Sequence, residues 1–374
     1  MVATGWARLA ICTLLFGPTD GRKEGYPFFW YIGAARPQPA YASSAKLSAA
    51  NIQIGRVKTP DQPCHTARDG AGPNCGLWPA LVNSPGGGPP QAVNGGVPEN
   101  ANLSAHLAAL EHDVPRWLPD VEWDGYAVID FEAYTPVWDM NVGFGGGAYA
   151  NASLALARQR HPGWPADKQL ADAKMRFESA AMTFFVETLR VCSRLRPRAK
   201  WGYYGWQDHF YLPCNRTGAS DRWRCGYDST TTDADKFRSW NNQLAAVWAA
   251  SGAIFPSIYI PAYEAYPHSH TSGMNAGFVR GVVGEALRVA NRTRPVVPFT
   301  LNYYHHGKGR GHGEFLNSTD LTTSLEVPIQ MGAAGTILWG SGEEFHDPAF
   351  APFLTDTLEP LTKRLACGNE TSSE

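Results

Sequence analysis

The sequence lacks an excess of charge of either sign and lacks any long hydrophobic run. Its 374 residues hold 32 lysines and arginines against 34 aspartates and glutamates, a net charge of −2. That balance offers no broad basic surface for nucleic acid. No apolar stretch reaches the length needed to span a bilayer, so no membrane span is expected. A His-Glu-x-x-His metal motif is missing. No Walker-type lysine follows the glycine-rich run 143–147, which excludes a phosphate cradle there. Internal repeats and an interdomain linker are absent too. What the chain does have is 44% hydrophobic and 12% aromatic residues, enough to build a core without metals. Its 38 glycines and 28 prolines point to many tight turns and long connections.

Residues 1–21 are expected to be a signal peptide, with Arg8 ahead of the apolar stretch 9–17. Six N-x-S/T sequons, at Asn102, Asn151, Asn215, Asn291, Asn317 and Asn369, suit a secreted glycoprotein. The expected destination is extracellular or a lysosome-like compartment. Of the seven cysteines, Cys12 falls within the signal. Cys64 and Cys75 bracket a Gly/Pro/Asp-rich loop and Cys214 and Cys225 a polar one, and both pairs read as local disulfides. Cys192 lies in a helical pattern and Cys367 near the C-terminus; pairing and free thiols both remain open for them.

Short β-rich apolar runs alternate with helical patterns, the signature of a parallel barrel or a doubly wound sheet. Strands are expected at 28–32, 126–132, 201–206, 254–260, 296–303 and 336–339. Helices are expected at 103–114, closed by Pro115, and at 167–195, with Leu170, Phe177, Ala181 and Phe184 on one face and Pro197 as the stop. Further helices fall at 234–250, 276–290, 321–331 and 352–365. The Gly-, Pro- and Cys-rich stretch 60–98 reads as a loop insertion. The simplest fit is an α/β fold, a distorted (β/α)7-8 TIM-like barrel with elaborated loops, in which 22–374 form one catalytic domain.

The run Tyr126-Ala127-Val128-Ile129-Asp130-Phe131-Glu132 carries the chemistry. Along a strand, residues i and i+2 share a face. Asp130 and Glu132 should therefore lie side by side, in a setting the apolar run keeps dry. Like charges that close resist joint ionisation, which favours one carboxyl holding a proton as a general acid. In a barrel, catalytic groups collect at the C-terminal strand ends. Those ends carry Asp130/Glu132, Tyr203/Tyr204/Trp206, Tyr259, Trp339 and Tyr303-Tyr304-His305-His306. Carboxylates among tyrosines and tryptophans suggest a carbohydrate substrate. His305, His306 and His312 sit in a glycine-rich segment that reads as a polar loop and not a metal site. Its Lys308 and Arg310 are candidates for meeting substrate carboxylates.

The motifs GLWPALV (76–82), NGGVPEN (94–100), YAVIDFEAYTPVW (126–138), WGYYGW (201–206), FPSIYIP (255–261), EALRVA (285–290) and GAAGTILWGS (332–341), taken in this order, resemble the hyaluronidases, glycoside hydrolase family 56. The resemblance implies a cofactor-free, metal-free secreted endo-β-N-acetylhexosaminidase acting on β-1,4 bonds of hyaluronan or chondroitin. It implies Glu132 as the acid/base and Asp130 as its partner carboxylate. Tyr204 and Tyr259 fall on the active-site tyrosines, and Trp339 on the tryptophan of the acetamido pocket. The nucleophile would be the substrate's own acetamido oxygen, a departure from the two-carboxylate scheme. The chain departs from the family pattern at Tyr134-Thr135-Pro136 and at Val282, where arginines are expected, with Arg280 two positions from the latter. It departs also at Pro73, where a tyrosine is expected, and at Pro37 and Ala351, where a long-range disulfide is expected. The expected partner is a glycosaminoglycan, bound by a monomer. The rival reading is a catalytically silent barrel that binds glycosaminoglycans or serves recognition.

Overall fold

The computed structural model describes residues 26–32, 52–54, 57–58, 75–82, 84, 88–141, 147–205, 232–260, 272–305, 314–340 and 344–367. The strands are β1 (Phe28–Ile32), β2 (Ile52–Ile54), β3 (Val57–Lys58), β4 (Ala80–Val82), β5 (Gln91–Val93), β6 (Tyr126–Ile129), β7 (Lys200–Tyr203), β8 (Phe299–Leu301) and β9 (Thr336–Gly340). The helices are α1 (Leu103–Trp117), α2 (Ala148–Arg160), α3 (Ala166–Leu195), α4 (Thr232–Gln243), α5 (Ala245–Ala250), α6 (Ser272–Val289), α7 (Ser318–Met331), α8 (Phe350–Pro352) and α9 (Glu359–Cys367). A π-helical stretch, Phe353–Leu358, joins the last two. Among the described residues no helix is long and apolar enough to cross a membrane.

Except for the antiparallel β4–β5 pair, the ladders are parallel. β2, β1, β9 and β8 lie in that order in one sheet, and β3, β6 and β7 in another. Segment 254–260 links them through parallel bridges from Phe255 to Tyr204, from Ile254 to Val296 and from Ser257 to Phe299. Strands so placed are covered on both faces, which explains why 126–129 reads as a continuous apolar run and not an alternating one. Phe29, Val128, Phe255, Phe299 and Ile337 form one core where the strands meet. A second core lies between the β6–β7 pair and helices α1 and α3, around Phe131, Phe177, Phe184, Phe185 and Trp201. Gly202 is required for the close approach of β7 to the next segment, since a Cβ there would lie 2.3 Å from the Ala253 carbonyl oxygen.

Several expectations need correction. The strand expected over 126–132 ends at Ile129, so the carboxylates follow it. Helix α1 runs through Pro115 to Trp117, with the Leu118 amide bonded to the Val114 carbonyl at 2.8 Å. A proline this near a helix end removes one hydrogen bond without breaking the last turn. Leu170 is 46% exposed, because the buried stripe of α3 passes through Gln169, Ala173, Phe177, Ala181 and Phe184, one residue aside. The single helix expected over 234–250 is two, parted at Leu244. Part of the stretch read as a loop insertion is the β4–β5 hairpin. Cys192 is buried and unbridged. Burial, then the nearby Cys75, pushes its thiol up. Cys64, Cys214 and Cys225 lie outside the described residues, as does the Cys367 side chain.

Candidate active site

Beyond β6 the chain keeps the in-and-out alternation of a strand without its ladder. Phe131 is buried and stacks on Trp78, with ring centroids 4.6 Å apart. That anchor turns the residues on either side of it the other way. Asp130 is half-buried and Glu132 is exposed. Both carboxylates act electrostatically on the Tyr259 hydroxyl, so the i, i+2 pairing read from the sequence is met in space. The dry setting expected for the pair is not: Glu132 stands open to solvent, because the strand ends before it.

Tyr204 follows β7 and Tyr259 lies in segment 254–260. Their rings are 6.2 Å apart, and Tyr259 lies 6.4 Å from Trp339 of β9. Tyr259 therefore stands between the other two aromatics. The Tyr204 hydroxyl donates to Ser257 Oγ at 3.4 Å and lies beside the Tyr259 hydroxyl. Burial pushes both phenols well above their ordinary range, Tyr204 further through Tyr259 and Glu132, and Tyr259 through Asp130 and Glu132. Both remain O–H donors facing the carboxylates. All five residues singled out in the sequence thus gather at the C-terminal strand ends.

Other expectations dissolve. Tyr203 turns into the core, where its hydroxyl bonds the Phe185 carbonyl at 3.1 Å. Tyr304 turns outward, its hydroxyl donating to Asp320 Oδ2 at 2.6 Å. Trp206, His306, Lys308, Arg310 and His312 lie outside the described residues. Thr135, in the Tyr134-Thr135-Pro136 segment where an arginine was expected, is buried in a turn with its amide on Asn141 Oδ1 at 2.8 Å. Val282 is buried in α6, while Arg280 is exposed.

The structure adds neighbours that sequence reasoning missed. His305, read as polar loop, brings its ring within 5.4 Å of Tyr259, its amide held by the Ile260 carbonyl at 2.8 Å. Glu344 is fully buried under the end of β9, where a Cβ on Gly340 would collide with its Oε1. The position of His305 just after the run 296–303 was the one available signal; nothing marked Glu344. Among the described residues no cluster of three or more His, Cys, Asp or Glu side chains could hold a metal ion.

The hyaluronidase family model matches residues 74–363, which span all five gathered side chains. The chain belongs to the hyaluronidase family. It is 32% identical over 298 residues to a hyaluronidase of Apis mellifera, covering 79% of this chain and 73% of that protein. It is 32% identical over 285 residues to a chondroitin hydrolase of Caenorhabditis elegans, covering 72% of this chain and 58% of that one. It thus spans little more than half the length of some relatives. The crystal structure of bee venom hyaluronidase with a hyaluronic acid tetramer superposes with a TM-score of 0.72 at 26% identity, covering 91% of this chain and 99% of the other. The strand-end location of the five residues is thus set within a hyaluronidase fold.

Proposed function

We propose that this member of the hyaluronidase family is a secreted endo-β-N-acetylhexosaminidase that cleaves β-1,4 bonds of hyaluronan, with chondroitin as a second substrate. The observation that carries the reading is the convergence of Asp130 and Glu132 on the Tyr259 hydroxyl, flanked by Tyr204 and Trp339. The bee relative binds a hyaluronic acid tetramer and the nematode one is a chondroitin hydrolase, which favours an anionic polymer. The whole of 22–374 acts as one monomeric catalytic domain. Its parallel strands close into a barrel.

Glu132 protonates the leaving glycosidic oxygen and later activates water. Asp130 accepts a hydrogen bond from the acetamido N–H and aims the acetamido oxygen at the anomeric carbon. This intramolecular attack replaces a protein nucleophile and yields retention of configuration, as in other substrate-assisted hydrolases. Tyr259 and Tyr204 supply O–H donors where negative charge shifts, and Trp339 confines the acetamido methyl.

The test is reducing-end release from hyaluronan and chondroitin by wild type beside Glu132→Gln. Loss of activity in the variant, with an unchanged melting temperature, is expected. Equal signals from both proteins would leave a silent glycosaminoglycan-binding barrel as the better description. Cleavage of chondroitin alone would keep the mechanism and change the substrate.

A further inference from the structure

Behind the candidate site, the segment that carries Asp130 and Glu132 turns back into the protein at Tyr134. The Tyr134 ring is buried, with centroids 5.1 Å from Phe131, 5.0 Å from Tyr149 and 5.5 Å from Phe177. Its hydroxyl lies near Glu99, which sits on the short turn Pro98–Asn100 packed on α3 and has Ser153 of α2 as a second neighbour. The Tyr134 hydroxyl, Ser153 Oγ and both Glu99 carboxyl oxygens are closed off from solvent, and none makes a hydrogen bond of ordinary length and angle. Ser153 nonetheless lies near enough to act on the Glu99 carboxyl.

Neighbouring groups do not neutralise Glu99 by direct pairing. Arg160 is committed to Asp172, with Nη2 and Nε at 2.9 and 3.3 Å from Oδ2. Asp172 also takes Arg176 Nε at 2.8 Å, with His161 Nε2 3.9 Å away. The Tyr149 hydroxyl accepts the Leu81 amide at 3.0 Å. Burial raises the Glu99 carboxyl above its ordinary range, opposed by its own amide, Ser153 and Arg160, and reinforced by Asp172. A carboxylate left unpaired in such a pocket is costly, whereas a neutral carboxylic acid can donate to the oxygens around it.

We propose that Glu99 is a positioning residue: its carboxyl ties Tyr134 to Ser153 and so holds the Phe131–Tyr134 turn that sets Glu132 against Tyr204 and Tyr259. The role rests on the reading of Glu132 as the acid/base. A general acid displaced even slightly loses transition-state contact while the polymer still binds, so the loss should fall on kcat and spare KM.

The sign for stability is equally definite. A folded carboxyl raised above its unfolded value of 4.5 keeps a proton that the unfolded chain has released. Its contribution is therefore lost as pH rises from that value through the folded one.

The experiment measures kcat, KM and melting temperature from acid to mildly alkaline pH for wild type, Glu99→Gln, Glu99→Ala and Tyr134→Phe. Glu99→Gln, neutral and still a donor, should keep kcat close to wild type and flatten the fall in melting temperature with rising pH. Glu99→Ala should lower kcat on the order of tenfold or more with KM unchanged. If Glu99→Ala does not fold, Tyr134→Phe, which removes only the hydroxyl, carries the kinetic arm and should lower kcat at constant KM. Wild-type kcat in the variant used, or a Glu99→Gln melting profile parallel to wild type, would overturn the proposal. If wild type itself cleaves neither polymer, the proposed function fails, and the melting profiles alone decide whether Glu99 is held neutral.

Discussion

At the scale of single residues, the division of labour proposed for Asp130 and Glu132 matches their surroundings. Asp130 is half-buried beside the Tyr259 hydroxyl while Glu132 reaches into solvent. A half-buried acid suits orientation of a bound group, and an exposed one suits proton exchange with leaving group and water. Asp130→Asn is expected to lower kcat by on the order of a hundredfold or more while leaving KM and the melting temperature near wild type, because a misaimed acetamido group is penalised in the transition state. A change confined to KM would show that Asp130 serves polymer binding instead. The pair itself was legible in the sequence, since alternation alone puts i and i+2 on one face. Its exposure was not, because that depends on where the ladder stops and on Trp78, from a distant part of the chain, stacking on Phe131.

At the scale of elements, two sequence motifs turn out to be braces. Glu285, in the EALRVA motif of α6, is buried and takes Asn241 Nδ2 of α4 at 2.8 Å, together with Arg288 Nε and Nη2 at 2.6 and 2.7 Å. Arg288 Nη1 continues to Asn242 Oδ1 at 2.9 Å. Glu285→Ala would remove the acceptor shared by a buried amide and a half-exposed guanidinium. We expect a loss of about 2 kcal/mol, read by denaturant unfolding, with kcat per folded molecule unchanged. The sequon Asn317 caps α7: its Oδ1 accepts the Asp320 amide at 2.9 Å, and its Nδ2 donates to Tyr304 at 2.7 Å and to Asp320 Oδ2 at 3.2 Å. Helix positions were readable from spacing, as in α3, whose expected start at 167 lies one residue from the observed Ala166. The outward turn of Tyr304 was not, because alternation does not say which face meets the site.

At the scale of the whole molecule, a buried histidine ties stability to pH on the acid side. His106 is fully buried between α1, α3 and the 76–78 segment. Its Nδ1 accepts the Leu77 amide at 2.9 Å. Its Nε2 donates to Thr188 Oγ1 at 2.9 Å, whose own hydrogen is given to the Phe184 carbonyl. The ring must therefore stay neutral, and burial lowers its pKa from 6.5 to about 3, against a smaller upward pull at Leu77. A histidine depressed in the fold takes up its proton more readily when unfolded. Stability present above pH 6.5 is then lost as pH falls toward the folded value, at up to about 1.4 kcal/mol per pH unit. Melting curves of wild type beside His106→Gln should diverge at neutral pH and converge on acidification; parallel curves would remove His106 from the acid limb. Glu99 acts in the opposite direction above pH 4.5, where it offsets part of the His106 dependence.

Sequence alone determined which residues are candidates for the chemistry and how far apart they stand along the chain. The carboxylate spacing, the aromatic strand ends and the ordered motifs all depend on local periodicity, which a linear reading preserves. Only the tertiary structure decided which candidates meet. Tyr204, Tyr259 and Trp339 converge because the parallel pairings bring residues far apart in the chain to one end of the strands. Tyr203 and Tyr304 diverge because each finds a buried carbonyl or carboxylate for its hydroxyl. Those choices are set by packing between distant segments, and so are the buried oxygens of Glu99, Tyr134 and Ser153 behind the site.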